Sequence, residues 1–76
     1  MTRYYCVLNT ITGRILYVGV SEAATAAKLD PGTVYGYGQT RRMAWWMAVK
    51  QRADVLRMEG TQASVPEYVE PEEPQP

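Results

Sequence analysis

One cysteine and no histidine in a chain of 76 residues remove the staples on which proteins this small usually depend. A single thiol cannot close an intrachain disulfide, and without imidazole a zinc site lacks its usual ligands. No metal and no cofactor is therefore expected. A chain this short forms at most one domain and buries a smaller share of its surface than a mid-sized one. Its stability must come from apolar packing, helped by self-association or a bound partner.

Cys6 lies among apolar residues, where a thiol is inert, and a lone cysteine gives no sign of an oxidising compartment. No apolar run approaches the ~20 residues needed to cross a bilayer, and the Met-Thr-Arg-Tyr start has no signal-peptide core. The expectation is a cytoplasmic protein with no membrane partner.

The formal charge is zero, yet the charges are segregated. All eight basic residues precede Gly60, against Glu22, Asp30, Asp54 and Glu59, so the body carries +4. The acids beyond Gly60 are Glu67, Glu70, Glu72 and Glu73, giving −4. A basic body of this kind meets a polyanion, or the acidic tail folds back and screens it.

Residues 4–8 are aromatic, thiol or β-branched, residues 9–13 supply turn chemistry, and residues 14–18 are again strand-like, so a β-hairpin is predicted with Gly13 at positive φ. Ser21 is placed to cap a short helix ending near Leu29. Asp30-Pro31 starts a second, over about residues 31–37, weakened by Gly32 and Gly36 and dissolving at Gly38. The longest helix runs over residues 41–59, capped by Thr40 and stopped by Gly60. The predicted fold is α+β: an N-terminal hairpin packed on two short helices, helix-turn-helix-like, and one long C-terminal helix. Residues 1–59 form the binding domain, and residues 60–76, rich in Pro and Glu, form a disordered tail whose Val65, Tyr68 and Val69 are the sticky points.

At 100° per residue, Trp45, Trp46, Val49, Ala53 and Leu56 of the long helix share one arc, which is assigned to the core. A second stripe holds Met43, Ala44, Met47, Ala48, Val55 and Met58. From it Met43, Met47, Val55 and Met58 are the candidate partner or dimer interface, because methionine adapts to irregular surfaces.

No histidine base, activated nucleophile or close carboxylate pair is in sight, so neither an enzyme nor a small-molecule substrate is expected. The segment Tyr35 to Arg42 instead packs two aromatics, polar donors and two guanidiniums into eight positions. Arg41 and Arg42 open a helix, where the dipole disfavours cations, so a bound phosphate would relieve the conflict. Thr33, Tyr35, Tyr37, Gln39, Thr40, Arg41, Arg42, Lys50 and Arg52 are the candidate nucleic-acid contacts.

The succession of Tyr4-Tyr5-Cys6-Val7-Leu8-Asn9, Gly13-Arg14-Ile15-Leu16-Tyr17, Val20-Ser21-Glu22-Ala23-Ala24 and Leu29-Asp30-Pro31-Gly32-Thr33-Val34 resembles the NUMOD-type modules. These are small helix-turn-helix DNA-binding units attached to phage and intron homing endonucleases. The resemblance covers residues 4–42. It implies that Pro31, Gly32, Thr33 and Tyr35 face DNA at the start of a recognition helix, with Arg41 and Arg42 on phosphates. Gly36 and Gly38 stand where the family has a firm helix, and that helix offers no Arg, Asn or Gln to base edges, which leaves backbone binding or protein contact. With no nuclease domain in the chain, it implies no cleavage.

Two functions follow as expectations. The first is a phage or mobile-element DNA-binding protein in the cytoplasm of a bacterial host cell, with the long helix supplying the contacts of a homodimer. The second is a phage-type effector that inhibits a host polymerase, topoisomerase or nuclease through the methionines or through Glu67, Glu70, Glu72 and Glu73 imitating nucleic acid.

Overall fold

The structure, a computed structural model, describes residues 2–21 and 32–70. Three strands and a helix follow in chain order: β1 (Tyr4–Asn9), β2 (Ile15–Gly19), β3 (Thr33–Gly38) and α1 (Arg41–Met58). The fold is α+β, an antiparallel sheet in the order β2-β1-β3 with α1 packed on one face.

The hairpin forms as its turn chemistry dictates. The Asn9 side chain accepts the N–H groups of Ile11 (2.9 Å) and Thr12 (3.0 Å), a local bond that competes with continued extension, and Gly13 turns the chain at φ 75°. The pairing slips between Val7 and Leu8, so that Leu8 opposes Ile15 while Val7 opposes Tyr17.

Along β1, Cys6 and Leu8 face α1 and are fully buried, joined by Ile15, Val18 and Val34 from the flanking strands. Alternation sends Tyr5, Val7, Tyr17, Tyr35 and Tyr37 to the other face.

Residues 33–38 correct the expected fold. They form a strand, not the predicted second short helix. Val34, Gly36 and Gly38 turn toward α1 and Tyr35 and Tyr37 away, a period of two that suits β-branched and aromatic residues. The glycines read as helix breakers are sites of close approach. A Cβ on Gly36 would stand 2.6 Å from the Ala44 carbonyl oxygen, and one on Gly38 would stand 2.8 Å from the Met43 Cβ. The predicted first short helix lies almost wholly outside the described residues.

The predicted long helix is present as α1, with Thr40 in extended conformation accepting from the Met43 N–H at 3.1 Å. At its end Gly60, at φ 81°, donates to the Arg57 carbonyl (3.0 Å), and Thr61 donates to that of Leu56 (2.8 Å). This paired arrangement satisfies two terminal carbonyls and reverses the chain. Residues 61–70 have no regular secondary structure; they run back along α1 and rest on it.

Candidate functional site

The reversed chain makes three successive contacts with α1. The first surrounds Arg52, which was expected on phosphate but is only 8% exposed. Its Nε donates to the Thr10 carbonyl (2.8 Å), its Nη2 to that of Ile11 (3.0 Å) and its Nη1 to that of Ser64 (3.3 Å). The guanidinium ties the hairpin loop and the returning chain to the helix. An Arg so engaged clamps these segments together.

The second contact is aromatic. The Tyr68 ring meets the buried Trp45 ring edge-on, 5.1 Å between centroids and 71° between planes. The Arg42 guanidinium lies 5.0 Å from the Tyr68 centroid and 5.9 Å from that of Trp45. A cation over two ring faces is attracted by their quadrupoles.

The third contact is ionic. Arg41 Nη1 lies 3.3 Å from Glu70 Oε1, and the Tyr68 hydroxyl donates to the same oxygen at 2.6 Å. The Tyr68 bond, ahead of the Arg41 interactions, holds the Glu70 carboxyl below the usual carboxylate range. Partial burial, followed by its bond to Glu70, pushes the Tyr68 hydroxyl up to about 12. The first turn of α1 carries no acid of its own, so Glu70 brings to Arg41 the negative charge that the helix start lacks.

The expected phosphate-binding segment is therefore divided between two surfaces. Tyr35 and Tyr37 belong to the sheet face opposite α1, where exposed Tyr37 lies 6.3 Å from Tyr5 and beneath the Arg3 guanidinium at 5.0 Å. Thr33 is half-buried at the start of β3, and the Thr40 hydroxyl is committed to capping. Gln39, Arg42 and Lys50 remain exposed, and neither Arg42 nor Lys50 pairs with a carboxylate among the described residues.

The expected interface set also separates. Met43 and Met47 are exposed one turn apart, whereas Val55 turns inward against the core and Met58 stands alone near the end of α1. Trp46, assigned to the core, is 44% exposed while its neighbour Trp45 is 6% exposed. Successive helical residues point about 100° apart, so only one of the pair sits at the centre of the buried arc. That arc is Ala44, Trp45, Ala48, Val49, Arg52 and Leu56.

The outer side of α1 thus carries Met43, Trp46 and Met47 together, bordered by Arg42 and Lys50. Sequence reasoning missed Trp46, and the signal that would have found it was the spacing of Ala44 and Ala48, small residues at the interval that meets Gly36. Glu67 is exposed and unpaired among the described residues, and Glu72 and Glu73 lie outside them.

No protein-family model, curated protein or solved structure matches the chain.

Proposed function

We propose that this chain is a small non-enzymatic module that binds a protein through the outer side of α1. The observation that carries the reading is Trp46, with nearly half its surface in water and Met43 and Met47 beside it. A tryptophan flanked by methionines on a rigid helix is the kind of anchor that dominates protein interfaces, because the ring buries much apolar area and the flexible thioethers adapt to an irregular partner surface. Arg42 and Lys50 at the border favour a partner with acids around an apolar centre.

The test uses a photo-crosslinking amino acid in place of Met47, with Trp46→Glu as the control variant. A defined protein is expected to be captured from a bacterial lysate, with or without nuclease, and to be lost with Trp46→Glu. Capture that survives Trp46→Glu, or that nuclease abolishes, sinks the reading.

A second reading, binding to the DNA backbone, is favoured by Arg42 and Lys50, which lie on one side of α1 and pair with no carboxylate among the described residues. It requires duplex binding that falls steeply with salt and is weakened by joint replacement of Arg42 and Lys50 with glutamine.

A further inference from the structure

A second surface of α1 is already occupied by the chain itself. Residues 64–70 are held in the manner of a bound peptide: they add no strand or helix, and the Tyr68 and Glu70 side chains meet the first half of α1. Val69 between them is exposed, as is Glu67 before them. What the body reads is thus an aromatic ring, any residue, then a carboxylate. The succession Tyr68-Val69-Glu70 is the one place where this pattern occurs in the sequence.

We propose that Arg41, Arg42 and Trp45 form a binding site for an extended peptide carrying an aromatic ring two residues ahead of a carboxylate, and that residues 64–70 fill it in cis as a displaceable stand-in. Three observations support a site of this kind. The body presents two cations at a helix start without an acid in the same turn, an arrangement that suits a carboxylate-bearing ligand. Trp45 and Arg42 both contact the Tyr68 ring, which gives the aromatic position its selectivity. Pro66 and Pro71 follow Val65 and Glu70 in sequence and bias both toward extended backbone, so little order is lost when the segment docks.

Displaceability follows from the same geometry. The Arg41–Glu70 pair is open to water on both partners, 46% and 39% exposed, and such pairs hold weakly. The Trp45 indole Nε1 is buried without a hydrogen-bond partner among the described residues. A bound segment that offered an acceptor there would satisfy a donor that the chain's own segment leaves unmet. The stand-in is thus an imperfect ligand, and a partner bearing a better-matched segment would replace it. This site shares Arg42 with the border of the Met43–Trp46–Met47 surface, but its test turns on Tyr68 and Glu70 and not on Trp46, so the failure of either proposal leaves the other standing.

The experiment uses the full chain, unaltered and as Tyr68→Ala plus Glu70→Gln, which vacates the site without touching the body. The probe is a synthetic peptide with the sequence of residues 64–71, and a second peptide has alanine at the tyrosine position. Binding is read from the Trp45 indole N–H resonance. The vacated chain is expected to bind the probe saturably and about tenfold or more tightly than the unaltered chain, because the tethered competitor is gone. The alanine peptide is expected to fail, and Arg41→Gln added to the vacated chain is expected to weaken binding severalfold.

Absence of saturable binding to the vacated chain, equal affinity of both chains, or equal affinity for both peptides would overturn the proposal. Should the double variant not fold, Glu70→Gln alone removes the ion pair and is expected to raise probe affinity severalfold, with unchanged affinity counting against the site. A dimer in light scattering that Tyr68→Ala dissolves would overturn occupation in cis.

Discussion

Gly36 in β3 and Ala44 in α1 approach so closely that a methyl group on the glycine would stand 2.6 Å from the alanine carbonyl oxygen. Ala48 faces the same glycine, and Gly36 pairs with Cys6 across the sheet, so four small residues let the helix backbone lie almost directly on the strand. The neighbour here is backbone and cannot swing aside. Gly36→Ala is therefore expected to cost about 2–3 kcal/mol, the upper part of the usual range for overpacking, measured by urea denaturation. A loss below about 0.5 kcal/mol would show that helix and strand do not meet this closely.

Arg52 is expected to act on stability and not on partner binding. Replacing it by Met removes three charge-assisted bonds and strands the carbonyls of Thr10, Ile11 and Ser64, at a cost of about 2–4 kcal/mol. Arg52→Lys is expected to recover only part of this, since an ammonium cannot reach three separated oxygens in the plane a guanidinium spans. Stability equal to the unaltered chain in Arg52→Met would place the side chain in solvent.

The docking of Tyr68 and Glu70 is expected to hold over a bounded pH window. Glu70 titrates below its ordinary value of 4.5, so its contribution is complete above that value and lost as pH falls through the depressed one. Tyr68 titrates near 12, above its ordinary 10.0, so its contribution is complete below 10.0 and lost as pH rises toward 12. Ring-current shifts between Tyr68 and Trp45, followed by NMR, should therefore weaken at both extremes and stay flat between. A flat profile down to pH 2 would exclude the carboxylate from docking.

The two adjacent tryptophans are expected to behave in opposite ways. Trp45→Ala opens the core and should cost about 3–5 kcal/mol, which a chain this small is not expected to survive folded. Trp46→Ala changes mainly solvent-facing surface and should move thermal stability by about 1 kcal/mol or less. Comparable losses in the two variants would mean that Trp46 is covered in solution.

Cys6 is expected to resist modification while the chain is folded. Burial, with a smaller contribution from the negative Glu70, pushes its thiol up to about 12. At pH 8 it then carries roughly a thousandfold less thiolate than an unperturbed cysteine, before lack of access is counted. Labelling with a disulfide reagent should proceed only on unfolding, and rapid labelling of the folded chain would contradict the packing of β1 against α1.

Local chemistry accounts for the parts of this fold that were legible in advance. Asn9 and Gly13 specify the hairpin turn, Thr40 and Gly60 specify both ends of α1, and none of these needs a distant partner to act. Residues 33–38 form a strand although the Asp30-Pro31 start signal predicts a short helix there, because the alternation of Val34, Tyr35, Gly36 and Tyr37 prevails. That alternation acquires meaning only when β1 lies on one side of it and α1 beneath it.

The same division runs through the candidate sites. Charge segregation and the apolar residues of the tail are properties of the sequence, and they limit the possibilities to a tail that screens the body or seeks another partner. Which cations are free is not a local property. The direction of each helical residue depends on where the sheet sits, so a rotation of about 100° exchanges Trp45 for Trp46 and decides whether Arg52 meets solvent or backbone carbonyls. The chain's own sequence set its turns, caps and charge pattern, while long-range packing chose the strand, the buried arginine and the tail's place on α1, because burial is shared among elements distant in sequence.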